Sequence, residues 1–150
     1  MRKAHQVLAG LLAAEVVIQA MAIAYALAGL GHWIDDGHTL TKQLIDDEDL
    51  HFQGVGGFAI HGMNGMMIIP LIAIVFLIVS LLANKQLPGA AQRGGILFGM
   101  VALQVFLGLT LHDVVVLAPL HALNGFGIFA MAIVTVRKAA AAEAAAPVAV

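Results

Sequence analysis

The sequence predicts an all-α fold: an integral membrane four-helix bundle made of two repeated helical hairpins, with both termini in the cytoplasm. Of the 150 residues, 61% are hydrophobic and only 11% are charged, whereas a soluble domain carries about 25% charged residues. Four apolar stretches are long enough to cross a bilayer, and a five-residue motif occurs twice, sixty residues apart. These observations argue against a soluble globular domain and against a disordered chain.

The four spans are predicted from length. Crossing about 30 Å of hydrocarbon takes roughly twenty residues at about 1.5 Å per residue. The loop at residues 31–57 is acidic, and residues 39–52 within it predict a short interfacial helix. We assign residues 1–138 to the membrane domain and 139–150 to an Ala-rich cytoplasmic tail whose helix ends near Pro147. The predicted spans are residues 7–30, 55–83, 94–112 and 119–136.

Basic residues predict the orientation of the chain. Lys42 lies on the side of the acidic loop, and the other six Lys and Arg residues lie on the side of the two termini. By the positive-inside rule both termini are cytoplasmic, in what we expect to be a prokaryotic cytoplasmic membrane. The six are Arg2, Lys3, Lys85, Arg93, Arg137 and Lys138.

Charge and cysteine content exclude several classes of protein. The formal net charge of -2 is too small to indicate nucleic-acid binding. The absence of cysteine excludes disulfides, thiolate zinc sites, iron–sulfur clusters and cysteine-attached haem. Seven histidines in so apolar a chain are therefore the unusual feature.

A short motif is repeated near the outer ends of the second and fourth predicted spans. The letters HGMNG at residues 61–65 recur as HALNG at residues 121–125, and we call this the HxxNG motif. A weaker repeat relates VVIQ at residues 16–19 to VALQ at residues 101–104. The chain therefore predicts two hairpins whose second helices run parallel and carry the motif at the same end.

The histidine of each motif, His61 or His121, is the candidate metal ligand. A polar side chain within a membrane is costly unless it faces the bundle interior and finds a partner. Two neutral imidazoles from parallel helices at similar depth can occupy both axial positions of one haem iron. We therefore predict one haem b with bis-histidine ligation. Two haems, a non-haem metal and simple helix packing are the alternatives.

The Asn and Gly of each motif lie at positions i+3 and i+4 from the His, on the same helical face. Asn64 and Asn124 are therefore predicted to form hydrogen bonds near the site. Gly65 and Gly125 have no side chain, so they are predicted to let a flat porphyrin approach the backbone closely.

The predicted depths of the two histidines differ. His121 lies 16 residues from the inner basic residue Arg137, roughly 24 Å along a helix. His61 lies 24 residues from Lys85, roughly 36 Å. The depths match if the second span overhangs the inner surface, tilts, or bends at Pro70.

Two more polar positions are candidates. His112, next to Asp113, is predicted to contact a haem propionate, serve a proton path, replace an iron ligand, or snorkel at the interface. Glu15 is predicted to act as a proton relay or quinone-site residue, or to form a neutral link to Gln19 or Gln104. The remaining histidines are expected at the solvated surface or in an interfacial aromatic belt: His5, His32, His38 and His51.

A four-helix unit with haem-ligating histidines near the outer ends of its second and fourth helices resembles one half of heme A synthase. It is also similar to other small membrane b-type cytochromes. The similarity covers about residues 7–136, and by it His61 and His121 carry over as iron ligands. Phe58 stands where the catalytic half of the synthase has a carboxylate, Gly62 stands where it often has Arg, and the loop cysteine pair is absent. The resemblance thus implies haem binding more directly than oxidation of a haem methyl group.

Three functions follow from this sequence. The first is a membrane b-type haem protein for electron transfer or haem carrying. The second is a heme A synthase-like oxidoreductase, which as a homodimer rebuilds the eight-helix arrangement; whether the chain is an enzyme stays open. The third is a non-catalytic accessory or assembly subunit whose His and Asn only link helices. The acidic residues 46–49 either attract a cationic redox partner or keep the loop solvated.

Overall fold

A computed structural model describes residues 1–46 and 50–144 of the chain. Every secondary-structure element in those ranges is helical, which confirms the predicted all-α class. The elements are α1 (Arg2–Asp35), α2 (Lys42–Asp46), α3 (Gly56–Met63), a π-helical turn (Asn64–Ile68), α4 (Ile69–Ala83), α5 (Ala90–Thr110) and α6 (Leu117–Ala144).

Four helices are long and apolar enough to cross a membrane, which confirms the predicted number of spans. Large apolar side chains remain exposed along their sides, as expected for helices whose solvent is lipid. The second span passes without a break from α3 through the π-helical turn into α4. The four helices are Arg2–Asp35, Gly56–Ala83, Ala90–Thr110 and Leu117–Ala142, with lengths of 34, 28, 21 and 26 residues.

The loop differs from the prediction. Instead of a helix over residues 39–52, the loop has the short α2. Thr41 explains where α2 begins, because its Oγ1 accepts a hydrogen bond from the Leu44 backbone N–H at 3.3 Å. Residues 50–53 are not helical. The Ala-rich tail continues α6 as far as Ala144, and the predicted stop at Pro147 lies outside the described residues.

The chain divides into two compact units. The larger unit comprises Met1–Val16 and the chain from Met66 onward, and the smaller unit comprises Val17–Gly65. In the larger unit one apolar core takes side chains from α1, α4, α5 and α6, so four helices meet there. The buried core residues are Ala9, Leu12, Ala13, Ile69, Ala73, Phe76, Leu97, Val101, Ile128 and Ala132.

His5 belongs to the interior of the larger unit. Its side chain has no exposed surface, and its ring lies 4.9 Å from that of Phe76, centroid to centroid. The expected solvated position is therefore wrong. Because α1 begins at Arg2, the buried stripe that includes Ala9 and Leu12 extends back by one turn, to a residue outside the apolar stretch.

In the smaller unit the second half of α1 packs closely on the start of α3. A Cβ atom at Gly57 would overlap the Ala22 carbonyl oxygen and lie 3.1 Å from the Ala26 Cβ. Small residues at a helix contact let two backbones approach in this way. Gly57 thus sets the spacing at the helix end that leads into the first HxxNG motif.

Aromatic groups cluster near the end of α1 in the same unit. Trp33 stacks on His38 at 4.7 Å and lies 6.3 Å from Phe52, ring centroid to centroid. His38 Nδ1 donates a hydrogen bond to the Trp33 carbonyl at 2.9 Å. His32 is 3.8 Å from the Asp36 carboxylate, and its side chain is 73% exposed. Trp33, predicted to lie in an interfacial aromatic belt, belongs to a small aromatic cluster beside exposed polar groups.

Candidate functional site

The two HxxNG motifs present similar helix faces. At residues 61–65 and 121–125 the His, Asn and Gly are half-buried, whereas the two residues between His and Asn are exposed. The spacing i, i+3, i+4 therefore forms one face in each motif, as predicted.

In the first motif a hydrogen bond orients the imidazole. His61, near the end of α3, places Nδ1 at 3.2 Å from the Gln19 carbonyl oxygen of α1. A carbonyl oxygen only accepts, so Nδ1 carries the proton and donates. In the neutral ring the lone pair is then on Nε2. Metal-ligating histidines usually donate their second ring N–H to such an acceptor, which fixes both the tautomer and the ring orientation.

The glycine of the first motif lies against the amide of the same glutamine. A Cβ atom at Gly65 would be 3.1 Å from Gln19 Nε2. Within the described chain, Nε2 and Oε1 of Gln19 are both buried and have no hydrogen-bond partner. A buried polar group left without a partner costs about 1–3 kcal/mol. The first motif therefore lies beside an amide whose hydrogen-bonding capacity is unused.

In the second motif the corresponding glutamine has a partner. Asn124 Nδ2 donates to Gln104 Oε1 at 2.7 Å and to the Met100 carbonyl oxygen at 2.9 Å. A Cβ atom at Gly125 would be 3.4 Å from Gln104 Nε2. Each glycine therefore lies against a glutamine of the preceding span, and these glutamines are the ones in the weaker repeat. These two hydrogen bonds of Asn124 link α6 to α5.

The other candidate ligand, His121, packs against a glycine of α5. A Cβ atom at Gly108 of α5 would lie 3.2 Å from Cε1 and 3.5 Å from Nδ1 of His121. The contact to Cε1 is tighter than an ordinary van der Waals contact and the one to Nδ1 is ordinary, so the His121 ring occupies the space left by the missing side chain. Sequence reasoning did not identify Gly108. The available signal was a glycine inside an apolar helix, a position that disfavours helix unless packing requires it.

The other candidates lie in different surroundings. His112 and Asp113 are exposed in the turn that follows α5. Glu15 is half-buried on α1. Within residues 1–46 and 50–144 there is no group of three or more His, Asp or Glu side chains able to hold a metal ion. A three-ligand non-haem site is therefore not built by the described residues.

An apolar groove of about 640 Å³ opens beside the second motif, along α5 and α6 of the larger unit. Asn124 is the polar member of its lining. Ligand sites are typically apolar with a few placed polar groups, and the lining of this groove has that composition. Its apolar lining includes Met100, Leu103, Leu107, Leu120, Leu123 and Phe126.

Comparison with known proteins adds no family assignment, since no protein-family model, curated protein or solved structure matches the chain.

Proposed function

We propose that the chain is an integral membrane b-type haem protein, with His61 and His121 as axial ligands, that transfers electrons or carries haem. The observation that carries the proposal is the repeated half-buried face of His, Asn and Gly on two membrane-spanning helices. Helix packing alone does not require an imidazole at the same place in both motifs.

The chain's own groups fit such a cofactor. The hydrogen bond from His61 Nδ1 to the Gln19 carbonyl leaves the lone pair of the neutral ring on Nε2, the atom that an iron would take. The absence of a side chain at Gly108 leaves room for the His121 ring. A bound haem would supply the one-electron chemistry, with a potential set by its two axial ligands and by burial. The chain's own part would be to hold the two imidazoles, and the apolar groove beside the second motif would offer apolar contacts.

An absorption spectrum tests the proposal. The protein purified from a haem-replete host is expected to show a reduced low-spin b-type signal. His61→Ala and His121→Ala should each abolish the low-spin signal, because one imidazole leaves an axial position open. His112→Ala, at an exposed turn position, is the control and should keep the signal. A low-spin spectrum unchanged in both ligand variants would overturn the assignment and make His112 the candidate.

The same preparation tests the enzymatic alternative. After co-expression with a source of haem O, extraction and chromatography identify the bound haem. Recovery of unmodified haem supports transfer or carrying, whereas an oxidised haem side chain would favour heme A synthase-like activity. Sedimentation in detergent then shows whether the active form is a homodimer.

A non-catalytic accessory subunit is the second candidate function. The two hydrogen bonds of Asn124, to Gln104 and to the Met100 carbonyl, favour it because they link α6 to α5 without any cofactor. A purified protein with no haem absorption and no haem uptake on titration would select this function over the first.

The proposed orientation, with cytoplasmic termini in a prokaryotic cytoplasmic membrane, rests on the distribution of basic residues. The chain has no cysteine, so single introduced thiols report topology directly. Thr41→Cys should react with a membrane-impermeant thiol reagent in intact cells, and Gln86→Cys should not. Both positions are exposed. The opposite labelling would reverse the orientation.

The acidic residues 46–49 fit a cationic redox partner at the outer face, although 47–49 lie outside the described residues. Reduction of the haem by a cationic donor should then slow as ionic strength rises and the Debye length falls to about 8 Å. Neutralising the four acids should remove that dependence. A salt dependence that survives neutralisation would exclude docking at this loop.

A further inference from the structure

The side-chain amide of Gln19 is a buried polar group of the smaller unit, and the proposed iron ligation does not use it. Both its donor and its acceptor atom are buried and have no hydrogen-bond partner in the described chain. Buried polar atoms are nearly always paired, so this exception needs an explanation, and a group that binds beside Gln19 in the working protein would supply one.

The position of this amide connects it to the first HxxNG motif. The backbone carbonyl of Gln19 accepts the hydrogen bond from His61 Nδ1 at 3.2 Å, and its Nε2 would be 3.1 Å from a Cβ atom at Gly65. The same residue therefore orients the candidate ligand and faces the motif's glycine. The three side-chain torsions of a glutamine let its amide turn toward a bound group.

Gln104, the equivalent glutamine beside the second motif, has the kind of hydrogen-bond partner that Gln19 lacks in the described chain. The Gln104 amide oxygen accepts a hydrogen bond from Asn124 Nδ2 at 2.7 Å. One of these amides thus has a side-chain partner for its oxygen, whereas neither polar atom of the other has a partner in the described chain. The difference points to a partner of Gln19 that lies outside the described part of the chain.

We infer that Gln19 binds one carboxyl group of the haem in its neutral acid form, an inference that rests on the proposed haem binding. A primary amide offers one donor and one acceptor side by side. A carboxylic acid offers the complementary pair, since its carbonyl oxygen accepts from Nε2–H and its O–H donates to Oε1. The acid form is favoured because burial in an apolar environment disfavours the charged form. Gln19 is then a cofactor-binding residue.

Reconstitution with two forms of the cofactor tests this inference. The apo-protein is titrated with haem b and with its dimethyl ester, which lacks the acid O–H but keeps the iron and the ring. Wild type should bind haem about tenfold more tightly than the ester, as expected for loss of a hydrogen-bonded pair. In Gln19→Met, whose side chain has similar length but no amide, the two affinities should become equal. Gln104→Met is the matched control and should keep the tenfold ratio.

The outcomes separate this inference from the proposed function. If Gln19→Met keeps the tenfold ratio, or if wild type binds haem and ester equally, Gln19 does not hold a haem carboxyl, although haem binding stands. If wild type binds neither form, the proposed function fails and this inference fails with it. Gln19→Glu provides a second variant, because a protonated Glu can also pair with an acid and should partly restore the ratio.

Discussion

The two HxxNG motifs share their letters but are held in different ways. His61 is oriented by a hydrogen bond to a backbone carbonyl of α1. The His121 ring packs against Gly108 of α5. Asn124 donates a hydrogen bond to the amide oxygen of Gln104, whereas the amide of Gln19 has no partner in the described chain. The first motif therefore lies beside an amide with unused hydrogen-bonding capacity, whereas the amide oxygen beside the second motif accepts a hydrogen bond from Asn124.

The backbone differs as well. The first motif runs into the π-helical turn Asn64–Ile68, and the second lies within the regular helix α6. Pro70 follows the π-helical turn, and a proline lacks the N–H that would continue the regular ladder. Single π-helical turns occur often at functional sites. The comparison shows that a repeated sequence fixes which residues share a face without fixing the backbone that carries them.

The largest expected effect comes from filling the glycine of either motif. Gly65→Leu and Gly125→Leu place a side chain against the amides of Gln19 and Gln104, so each should destabilise the protein by about 1–3 kcal/mol. Gly65→Leu should cost more, because its Cβ contact of 3.1 Å is closer than the 3.4 Å at Gly125. Haem occupancy should fall in both, as measured by the absorption ratio of haem to protein.

A matched control lies in the same helical span. Gly62 is exposed, and a Cβ atom there would meet nothing within 4 Å. Gly62→Leu should therefore insert, fold and bind haem normally, since Leu is favourable in a membrane helix. Full occupancy in Gly65→Leu and Gly125→Leu would show that neither glycine face is needed by a cofactor, and the motifs would then be packing elements alone.

Much of the fold was predictable because apolar length is a direct consequence of crossing a bilayer. The number of spans is confirmed, but α1 and α6 extend beyond the predicted 7–30 and 119–136. A rule based on apolar composition detects the part of a helix that lies in hydrocarbon, whereas the helix continues into polar residues outside it. His5 was misplaced for the same reason, because it precedes the apolar stretch and is still part of the buried stripe.

The site was predictable only in part. The helical period places His, Asn and Gly of each motif on one face, and the burial pattern agrees. The roles of Gln19, Gln104 and Gly108 were not predictable, since each depends on which residue of another segment lies opposite. The weaker repeat contained both glutamines, but sequence reasoning paired them with Glu15. The positions of the two glutamines against Gly65 and Gly125 depend on the rotation and depth of each helix. Neither quantity can be predicted from a single sequence.

A smaller effect on stability is expected from removing the hydrogen bonds that link α6 to α5. Asn124→Leu removes both hydrogen bonds to α5 and should cost about 1 kcal/mol, the usual size for interhelical hydrogen bonds in membranes. Gln104→Leu should cost less, because Asn124 keeps its bond to the Met100 carbonyl. Thermal unfolding in detergent ranks the two variants. A larger loss in Gln104→Leu would mean that the amide pair is not the main link between α5 and α6.

The smallest expected effect on stability concerns Gly108, and it tests the claim that packing orients His121. In Gly108→Ala the new methyl group would lie 3.2 Å from the ring's Cε1, so the ring must move by a few tenths of an ångström. Helix propensity favours Ala over Gly by about 0.5–1 kcal/mol, which offsets the packing loss and leaves the unfolding free energy nearly unchanged. Gly99→Ala on the same helix is the control, because its Cβ would meet nothing within 4 Å. Electron paramagnetic resonance of the oxidised haem should show shifted low-spin g values in Gly108→Ala and wild-type values in Gly99→Ala. Identical spectra in the two variants would show that His121 is oriented by something other than Gly108.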